Sequence, residues 1–399
     1  MARSSFADIL QSLSDDRASK VASKLPSLKG IGVPTSLSLE QCSSEAAALY
    51  KSEVAASMCT GSCGDASGYA IADLTGGLGV DCWAFGKRFG RVLYNDRDTA
   101  LADNARINFD RLGVEGVTVR NFEVSALNCQ WSESLRQFRP DIVYMDPARR
   151  GADGKKVFLP EDCSPNVLEL VPILSGIAPR LLLKLSPMAD ISLIIKRLTQ
   201  AYISSISKRC LKEIQVVGLQ GECKELLCLI DGTYDGDCRI AAVELHKDGS
   251  HSYLPKPTSI HPDTTGDHGI LSSAAVPGAI LAVPTAVLLK AGFHDAVCQE
   301  AGFVKADTFT HLYLGSADNV ARLVCKGFLK CYDIIEVAPL NNKNINDFGK
   351  RYNSAEVSAK NIRMSSDQLR ARLGIRKPSG DIHIFGYSTP EGNFLAACR

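Results

Sequence analysis

The stretch that most constrains this chain is residues 71–81, Ile-Ala-Asp-Leu-Thr-Gly-Gly-Leu-Gly-Val-Asp, in which an apolar run meets an acid and then a glycine-rich segment. Three of the four positions from Gly76 to Gly79 are glycine. Glycine lets the backbone pass close to a ligand, because there is no Cβ, and a helix N-terminus offers free N–H groups. The pattern is typical of the turn between the first strand and the first helix of an α/β sheet.

A second apolar run, Arg91–Asn95, ends at Asp96, which lies seventeen positions beyond Gly79. In a doubly wound sheet, an acid at the end of the second strand holds the ribose hydroxyls of a bound nucleotide. The glycines and Asp96 together therefore predict a site for a cofactor that contains a nucleoside.

The acid in front of the glycines narrows the choice of cofactor. Asp73 ends the first predicted strand, where sheets that bind nicotinamide cofactors do not require a carboxylate. A cofactor with a positively charged amino group gains from one, and S-adenosylmethionine has such a group. We expect Asp73 at the amino group of the cofactor, Asp96 at its ribose and Arg97 near its adenine. The loop N–H groups expected at its carboxylate are those of Thr75, Gly76, Gly77 and Gly79.

The fourth predicted strand, Asp141–Met145, ends in a polar corner, Asp146-Pro147-Ala148-Arg149-Arg150. The carboxyl edge of an open α/β sheet is where ligands bind, and proline stiffens the turn. Asp146 is expected to contact the cofactor and to orient a substrate nitrogen beside the methyl donor. The guanidinium groups of Arg149 and Arg150 suit phosphate contacts, and Arg149 is also a candidate catalytic residue.

Residues 69–235 alternate apolar strands with amphipathic segments, which predicts βα units and a parallel sheet. Lys184 ends the fifth strand beside the cleft and is a third catalytic candidate, for stabilising charge or holding phosphate. The last two strands, Glu213–Gly218 and Leu226–Ile230, are separated by too few residues for a parallel crossover. They are expected to pair as an antiparallel hairpin, which distinguishes a methyltransferase sheet from a nicotinamide-binding one.

The remaining segments predict a multidomain chain. Residues 1–66 read as a helical segment in which Gln41 and Ser43 are candidate substrate contacts at the cofactor mouth, and a serine there can cap the following helix. Residues 67–235 form the catalytic domain, and 236–325 a linker with a small α+β module. Residues 326–399 form a second α+β module with twelve Lys/Arg against seven Asp/Glu, a net charge of +5 that suits phosphate contacts.

Composition excludes little by itself. Lys+Arg 45 against Asp+Glu 44 leaves a net charge of +1, so the net charge of the whole chain does not by itself indicate a nucleic-acid binder, and local charge has to be considered instead. The 14 cysteines are scattered, without the paired spacing of a zinc site, so no metal is expected. We find no leader sequence and no apolar run long enough to span a membrane, and therefore expect a cytoplasmic protein with reduced thiols.

Residues 69–231 resemble a class I S-adenosylmethionine-dependent methyltransferase, in which Asp73–Gly79, Asp96 and Asp146–Arg149 match the first, second and fourth motifs. Most of the chain resembles a bacterial family of such enzymes with a ferredoxin-like segment and a C-terminal THUMP-like domain. THUMP modules accompany RNA-modifying enzymes, so the resemblance implies an RNA substrate such as tRNA or rRNA. The stretches that carry it are Leu39–Glu45, Asp73–Gly77, Asp146–Arg150, Lys184–Met188, Glu222–Leu227, Leu288–Gly292 and Thr310–Tyr313.

The corner at Asp146 also resembles that of RNA uracil-5-methyltransferases, which need a nucleophilic cysteine after the fifth strand. In this sequence the cysteine position holds Leu185. A pyrimidine carbon is a poor nucleophile until a thiolate adds to the ring, so we expect direct attack by a ring nitrogen or a hydroxyl. Two alternatives stay open: a nicotinamide-dependent oxidoreductase, and a non-catalytic RNA-binding protein with a degenerate methyltransferase sheet.

Overall fold

The structure is a computed structural model that describes residues 19–61, 64–148, 160–257, 275–322, 326–376 and 380–399. The chain divides into two compact units. The first comprises Met1–Ala241 and Leu245–His251, and the second comprises Ala242–Glu244 and Ser252–Arg399. No helix in the described part of the chain has both the length and the apolar character that crossing a membrane requires.

The first unit begins with helices that pack outside its sheet. Residues 19–24 are helical, α1 is Ser36–Gln41 and α2 is Glu45–Thr60. The hydroxyl oxygen of Ser44 accepts a hydrogen bond from the Ala47 N–H at the start of α2, which confirms the predicted serine cap. Gly61 adopts a left-handed conformation and ends the helix.

Five parallel strands form the centre of the first unit, and helices connect them. The inner strand β4 is buried along its whole length, as expected for a parallel strand covered on both faces. The strands are β1 Ala66–Asp73, β2 Phe89–Asn95, β3 Val117–Arg120, β4 Ile142–Met145 and β5 Arg180–Leu185. The helices are α3 Val80–Gly86, α4 Thr99–Arg111, α5 Gln130–Phe138, α6 Val167–Leu174 and α7 Ile191–Ile206, with a short 3₁₀ turn at Pro160–Asp162.

The chain reverses direction after α7, as predicted. Strands β6, Leu211–Leu219, and β7, Glu222–Asp231, pair antiparallel, and β7 also pairs antiparallel with β5. Their loop is Gln220-Gly221, with φ of 57° and 79°, so both turn residues have the positive φ typical of a tight hairpin. In the strand order β3-β2-β1-β4-β5-β7-β6, five parallel strands are followed by a reversed hairpin, as predicted for a methyltransferase sheet.

Two further strands follow the seven strands of this order. Beyond β6 the order continues with β8, Arg239–Leu245, and β9, His251–Pro255. The turn between these strands, residues 246–250, belongs to the first unit.

The second unit is an α+β structure with a mostly antiparallel sheet of order β11-β12-β10-β13-β16-β15-β14. Its apolar side chains form two clusters, one around Phe385 and Tyr387 and the other around Phe348 and Leu369. The strands are β10 Ile280–Pro284, β11 Val304–Lys305, β12 Tyr313–Gly315, β13 Leu329–Pro339, β14 Glu356–Lys360, β15 His383–Thr389 and β16 Gly392–Cys398. The helices are α8 Ala286–Ala291, α9 His294–Glu300, α10 Ala317–Arg322, α11 Asn342–Arg351 and α12 Ser366–Leu373, with a 3₁₀ turn at Lys326–Phe328.

Candidate active site

The glycine loop, residues 74–79, joins β1 to α3 and lies against a buried tyrosine. A Cβ built on Gly76 would come within 2.1 to 2.7 Å of the Tyr94 ring carbons. The Tyr94 ring is buried, and its hydroxyl donates a hydrogen bond to the Gly77 carbonyl at 2.7 Å. Gly79, at the N-terminus of α3, has a φ of 85°, which disfavours any residue with a side chain. The loop therefore requires glycine at Gly76 for space and at Gly79 for conformation.

Four N–H groups of the loop, those predicted to face a ligand, donate hydrogen bonds inside the protein. The pairs are Thr75 with Asp73 Oδ1 (2.9 Å), Gly76 with the Asn95 carbonyl (2.8 Å), Gly77 with Asp96 Oδ2 (2.8 Å) and Gly79 with the Gly76 carbonyl (2.9 Å). This corrects the prediction that these four amides face a ligand carboxylate. The turn is tight enough for each amide to find an acceptor on a neighbouring strand end or within the loop.

Asp96 connects the end of β2 to the loop. Its Oδ2 accepts from the Gly77 N–H at 2.8 Å, and its Oδ1 accepts from the Asp98 N–H at 2.9 Å. A carboxylate oxygen has two lone pairs, so these bonds leave acceptor capacity on a half-buried side chain that lines the cavity described below. Arg97, next in sequence, is exposed, lines the same cavity and donates to the Ser164 hydroxyl at 3.1 Å.

Asp73 lies beneath the loop, although the sequence predicts that it reaches a ligand. Its Oδ1 accepts from the Thr75 N–H at 2.9 Å, and its Oδ2 lies 3.4 Å from the Cys82 thiol, which donates to it. The residue is 1% exposed and is not among the described residues that line the cavity. In this structure, therefore, Asp73 holds the loop and has no direct path to a ligand amino group.

The pKa of Asp73 leads to a testable pH dependence. Burial, and then the neighbouring Asp81 carboxylate, raise this pKa to about 8. An unfolded chain ionises aspartate near pH ~4, so between these values the folded state holds the extra proton and stability falls as pH rises. We expect Asp73→Asn to remove this loss. Relative to the parent, its free energy of unfolding should increase by up to about 1.4 kcal/mol per pH unit towards pH ~8.

Urea unfolding of the parent and of Asp73→Asn between about pH 5 and pH 8 measures this difference. Asp103→Asn, at an exposed site on α4, is the control and should show a difference that does not depend on pH. A constant difference for Asp73→Asn would contradict the expectation and indicate a carboxyl that is ionised in the folded state throughout.

The corner after β4 is built around Asp146. Its N–H donates to the Thr75 hydroxyl at 2.6 Å, which joins the corner to the glycine loop. Its carboxylate lies 2.5 Å from the Lys184 ammonium, at the end of β5. Burial lowers the pKa of Lys184, but the carboxylates of Asp146, Glu225 and Asp81 outweigh burial and raise it above its ordinary value. Lys184 is therefore a permanent cation and cannot serve as a base. Arg149 and Arg150 lie outside the described residues.

A buried ion-pair network lies beside this corner, and sequence analysis did not find it. Lys51 of α2 is fully buried, and its ammonium lies 2.9 Å from Asp81 Oδ1 and 2.5 Å from the Ser43 hydroxyl. The Tyr144 hydroxyl donates to Asp81 Oδ2 at 2.9 Å. Burial raises the pKa of Asp81, but the ammonium groups of Lys51 and Lys184 lower it overall. Ser43, predicted as a substrate contact, therefore also supports this network.

These groups surround a cavity with a volume of about 2050 Å³ at the carboxyl ends of the parallel strands. Its wall includes Gln41 and the network residues Ser43 and Asp81, together with apolar side chains such as Leu78 and Phe122. The only signal for Asp81 in the sequence is a carboxylate in the first turn after the glycines. The predicted site residues that line the cavity are Gln41, Ser43, Thr75, Gly76, Gly77, Asp96, Arg97, Asp146 and Lys184.

The lining suits a cofactor that combines a nucleoside with a charged amino acid. Asp96 offers free acceptor capacity for hydroxyl groups, and Phe122 and Val124 offer apolar surface for a flat ring. Among the acidic side chains that line the cavity, Asp81 lies nearest in sequence to the glycine loop. S-adenosylmethionine combines these parts, and the residues present fit it.

Comparisons with known proteins agree with this geometry. A crystal structure from Porphyromonas gingivalis, described as a candidate methyltransferase, is 25% identical to this chain with a TM-score of 0.77. The match covers 97% of this chain and 88% of that one. The sequence model of the THUMP domain-like family matches residues 329–399. No curated protein matches the sequence.

Two further solved structures match about half of the chain. A precorrin methyltransferase from Geobacter metallireducens is 10% identical over 52% of this chain and 95% of that one, with a TM-score of 0.33. A candidate RNA methyltransferase from Pyrococcus horikoshii is 21% identical over 46% of this chain and 82% of that one, with a TM-score of 0.30. At these TM-scores neither structure supports a conclusion about this chain.

The strand order with its reversed hairpin, the match to a methyltransferase structure over nearly the whole length and the THUMP-like C-terminus agree with one another. The chain therefore has the fold of a class I S-adenosylmethionine-dependent methyltransferase, and its residues 329–399 match the THUMP domain-like family.

Proposed function

We propose that the first unit transfers a methyl group from S-adenosylmethionine to a nitrogen or hydroxyl of RNA, by direct attack and without a covalent enzyme intermediate. The observation that carries this proposal is that Asp96, the glycine loop and the Asp146–Lys184 corner line one cavity. A cofactor site and a polar corner in one cavity are what direct transfer between two bound molecules requires.

In this proposal Asp96 binds the ribose hydroxyls, Arg97 and Phe122 flank the adenine, and Asp81 faces the amino group. When bound, S-adenosylmethionine supplies an electrophilic methyl group on a positively charged sulfur. The chain itself supplies the walls, the acceptors and the exclusion of water.

The corner after β4 orients the substrate. Lys184 holds the carboxylate of Asp146 in place, and the Thr75 hydroxyl fixes the backbone at the same residue. A carboxylate held in place by an ammonium group is an oriented hydrogen-bond acceptor. This arrangement favours catalysis by positioning and by removal of water.

The thiols near the cavity support transfer without a covalent intermediate. Leu185, at the position where uracil-5-methyltransferases need cysteine, is a buried side chain of β5. Cys42 lines the cavity, but burial raises the pKa of its thiol, which donates a hydrogen bond to the Leu39 carbonyl. Because the thiolate is the nucleophilic form, a raised pKa makes Cys42 a poor nucleophile.

RNA as the substrate is supported by the C-terminal region. The THUMP-like match covers residues 329–399, and residues 326–399 carry the net charge of +5. We propose residues 326–399 as the RNA-binding domain and 236–325 as the linker and ferredoxin-like segment. Tracking a phosphate backbone with lysine and arginine gives affinity that falls with salt concentration.

A substitution at Asp96 tests the cofactor site. We expect Asp96→Ala to weaken S-adenosylmethionine binding by roughly 10- to 100-fold, because the ribose loses its acceptor and the Gly77 N–H loses its partner. Isothermal titration calorimetry of both proteins measures this loss. Asp103→Ala, at an exposed site on α4, should bind like the parent. Unchanged affinity in Asp96→Ala would refute the ribose assignment.

The function itself is tested with labelled S-adenosylmethionine and total RNA from a strain that lacks the gene. We expect label in one RNA size class, and the parent protein should bind S-adenosylmethionine but not NAD by calorimetry. Tight NAD binding would favour the oxidoreductase. Donor binding without label in any RNA fraction would rule out RNA as the substrate.

A further inference from the structure

Glu225 is a buried acid in the cavity wall that the proposed mechanism does not yet use. It lies on β7, one residue after the exposed part of the hairpin, and is 3% exposed. It lines the same cavity as Asp146 and Lys184. A carboxylate is seldom buried to this degree without partners, so its surroundings need an explanation.

The two oxygens of Glu225 have different surroundings. Oε2 lies 3.6 Å from the Lys51 ammonium and 3.9 Å from the Lys184 ammonium, within ion-pair distance of both. Oε1 is buried and has no hydrogen-bond partner among the described residues. A buried acceptor without a donor costs free energy that a bound donor can recover. Because Glu225 lines the cavity, this unsatisfied oxygen is the candidate acceptor there for a ligand N–H or O–H.

The charge of the cluster indicates which kind of donor fits. Within the described residues it contains the carboxylates of Asp81, Asp146 and Glu225 and the ammonium groups of Lys51 and Lys184. Three anions against two cations leave an excess of negative charge. Such a site opposes an alkoxide, which methylation of a ribose hydroxyl tends to form, and favours a product that gains positive charge.

We propose that Glu225 Oε1 accepts a hydrogen bond from the exocyclic amino group of the substrate base, and that the methyl group goes to the adjacent ring nitrogen. On their Watson–Crick edges, adenine and cytosine carry an amino group beside a ring nitrogen with a lone pair, whereas the ring nitrogen on that edge of guanine carries a proton. In this transfer the nitrogen–carbon bond forms as the sulfur–carbon bond breaks, and the positive charge passes from sulfur to the base. No proton has to leave. This inference rests on the proposed function and narrows its substrate to these two bases.

The variant that tests Glu225 is Glu225→Gln. The amide oxygen of the glutamine is expected to face the ammonium groups of Lys51 and Lys184, so that its N–H₂ group replaces Oε1. An N–H₂ group donates hydrogen bonds and cannot accept one from the amino group of the base. We expect kcat/KM for labelling of total RNA from the gene-deletion strain to fall by about 10-fold or more, with S-adenosylmethionine affinity within about twofold of the parent. Glu222→Gln, at an exposed site on the same strand, is the matched control and should label RNA like the parent.

Nucleoside mass spectrometry of RNA labelled by the parent protein tests the same inference without a variant. We expect an adenosine or cytidine methylated on the ring nitrogen beside its amino group. A ribose-methylated, carbon-methylated, guanosine or uridine product would overturn the inference and leave the RNA methyltransferase intact. Absence of label in any RNA overturns the proposed function and this inference together. Equal labelling by Glu225→Gln and the parent would also overturn the role of Glu225.

Discussion

Gly76→Ala is expected to weaken S-adenosylmethionine binding by roughly 10- to 100-fold and to lower the free energy of unfolding by about 1–3 kcal/mol. The new Cβ would lie 2.1 Å from a ring carbon of Tyr94, and no such contact occurs in a relaxed protein. The backbone of Gly76 has no positive φ, so the effect is purely one of space. Calorimetry with S-adenosylmethionine and urea unfolding measure the two losses.

The cost is high because neither side of this contact can move easily. Tyr94 is buried, its ring packs edge-on against Phe109 at 5.8 Å between centroids, and its hydroxyl holds the Gly77 carbonyl. If the loop moves instead, Gly76 leaves the Asn95 carbonyl and Gly77 leaves Asp96. Both movements disturb the cavity floor, on which the donor site depends.

Two further variants make the test specific. Gly68→Ala introduces the same methyl group on β1, where nothing lies within 4 Å of the new Cβ, and should bind the donor like the parent. Tyr94→Leu in the Gly76→Ala background removes the ring and should restore part of the lost affinity. Gly76→Ala with the affinity of the parent would show that the loop does not form the donor site.

Lys51→Met is expected to lower the free energy of unfolding by about 3–5 kcal/mol, the usual cost of leaving buried charges without a partner. Methionine fills nearly the same space as the lysine stem but removes the ammonium, which lies 2.9 Å from Asp81 and 3.6 Å from Glu225. Both carboxylates are buried, so water cannot replace the lost cation. Urea unfolding of the two proteins measures the difference.

The sign of the pH dependence follows from Asp81. In the parent its pKa is lowered, so its contribution to stability is present above the unfolded value near pH ~4 and is lost below it. Without Lys51, burial raises this pKa, and the carboxylate destabilises the fold above pH ~4. The difference between variant and parent should therefore shrink as pH falls from about 7 to about 5.

A second substitution and a control complete the test. Asp81→Asn in the Lys51→Met background removes one of the unpaired charges and should recover part of the stability. Lys29→Met, at an exposed site, removes the same charge and should change stability by less than about 0.5 kcal/mol. A loss in Lys51→Met no greater than that in Lys29→Met would contradict the buried network.

The strongly patterned parts of the fold were predictable from the sequence. The strands of the parallel sheet have long apolar runs, and the short gap after Glu213–Gly218 left only an antiparallel partner for β6. Helix α5 was missed because only Trp131 and Leu135 supply buried apolar positions in its nine residues. Strands β14 and β16 were also missed. β14 is only partly buried, and β16 contains small residues, so neither alternates clearly.

The sequence by itself determined the class of sheet and the edge at which ligands bind. The periodicity of the apolar residues, the positions of the glycines and the acids at the strand ends are all local properties of the chain. It placed Asp96 and Asp146 at the same edge of the sheet, and in the structure both side chains line one cavity. Only the tertiary structure determined which charged side chains form ion pairs with one another. Lys51, Asp81, Lys184 and Glu225 come from four separate elements, and ion pairing depends on distance and burial. The same is true of Asp73, whose carboxylate turns beneath the loop because the Thr75 N–H and the Cys82 thiol lie there.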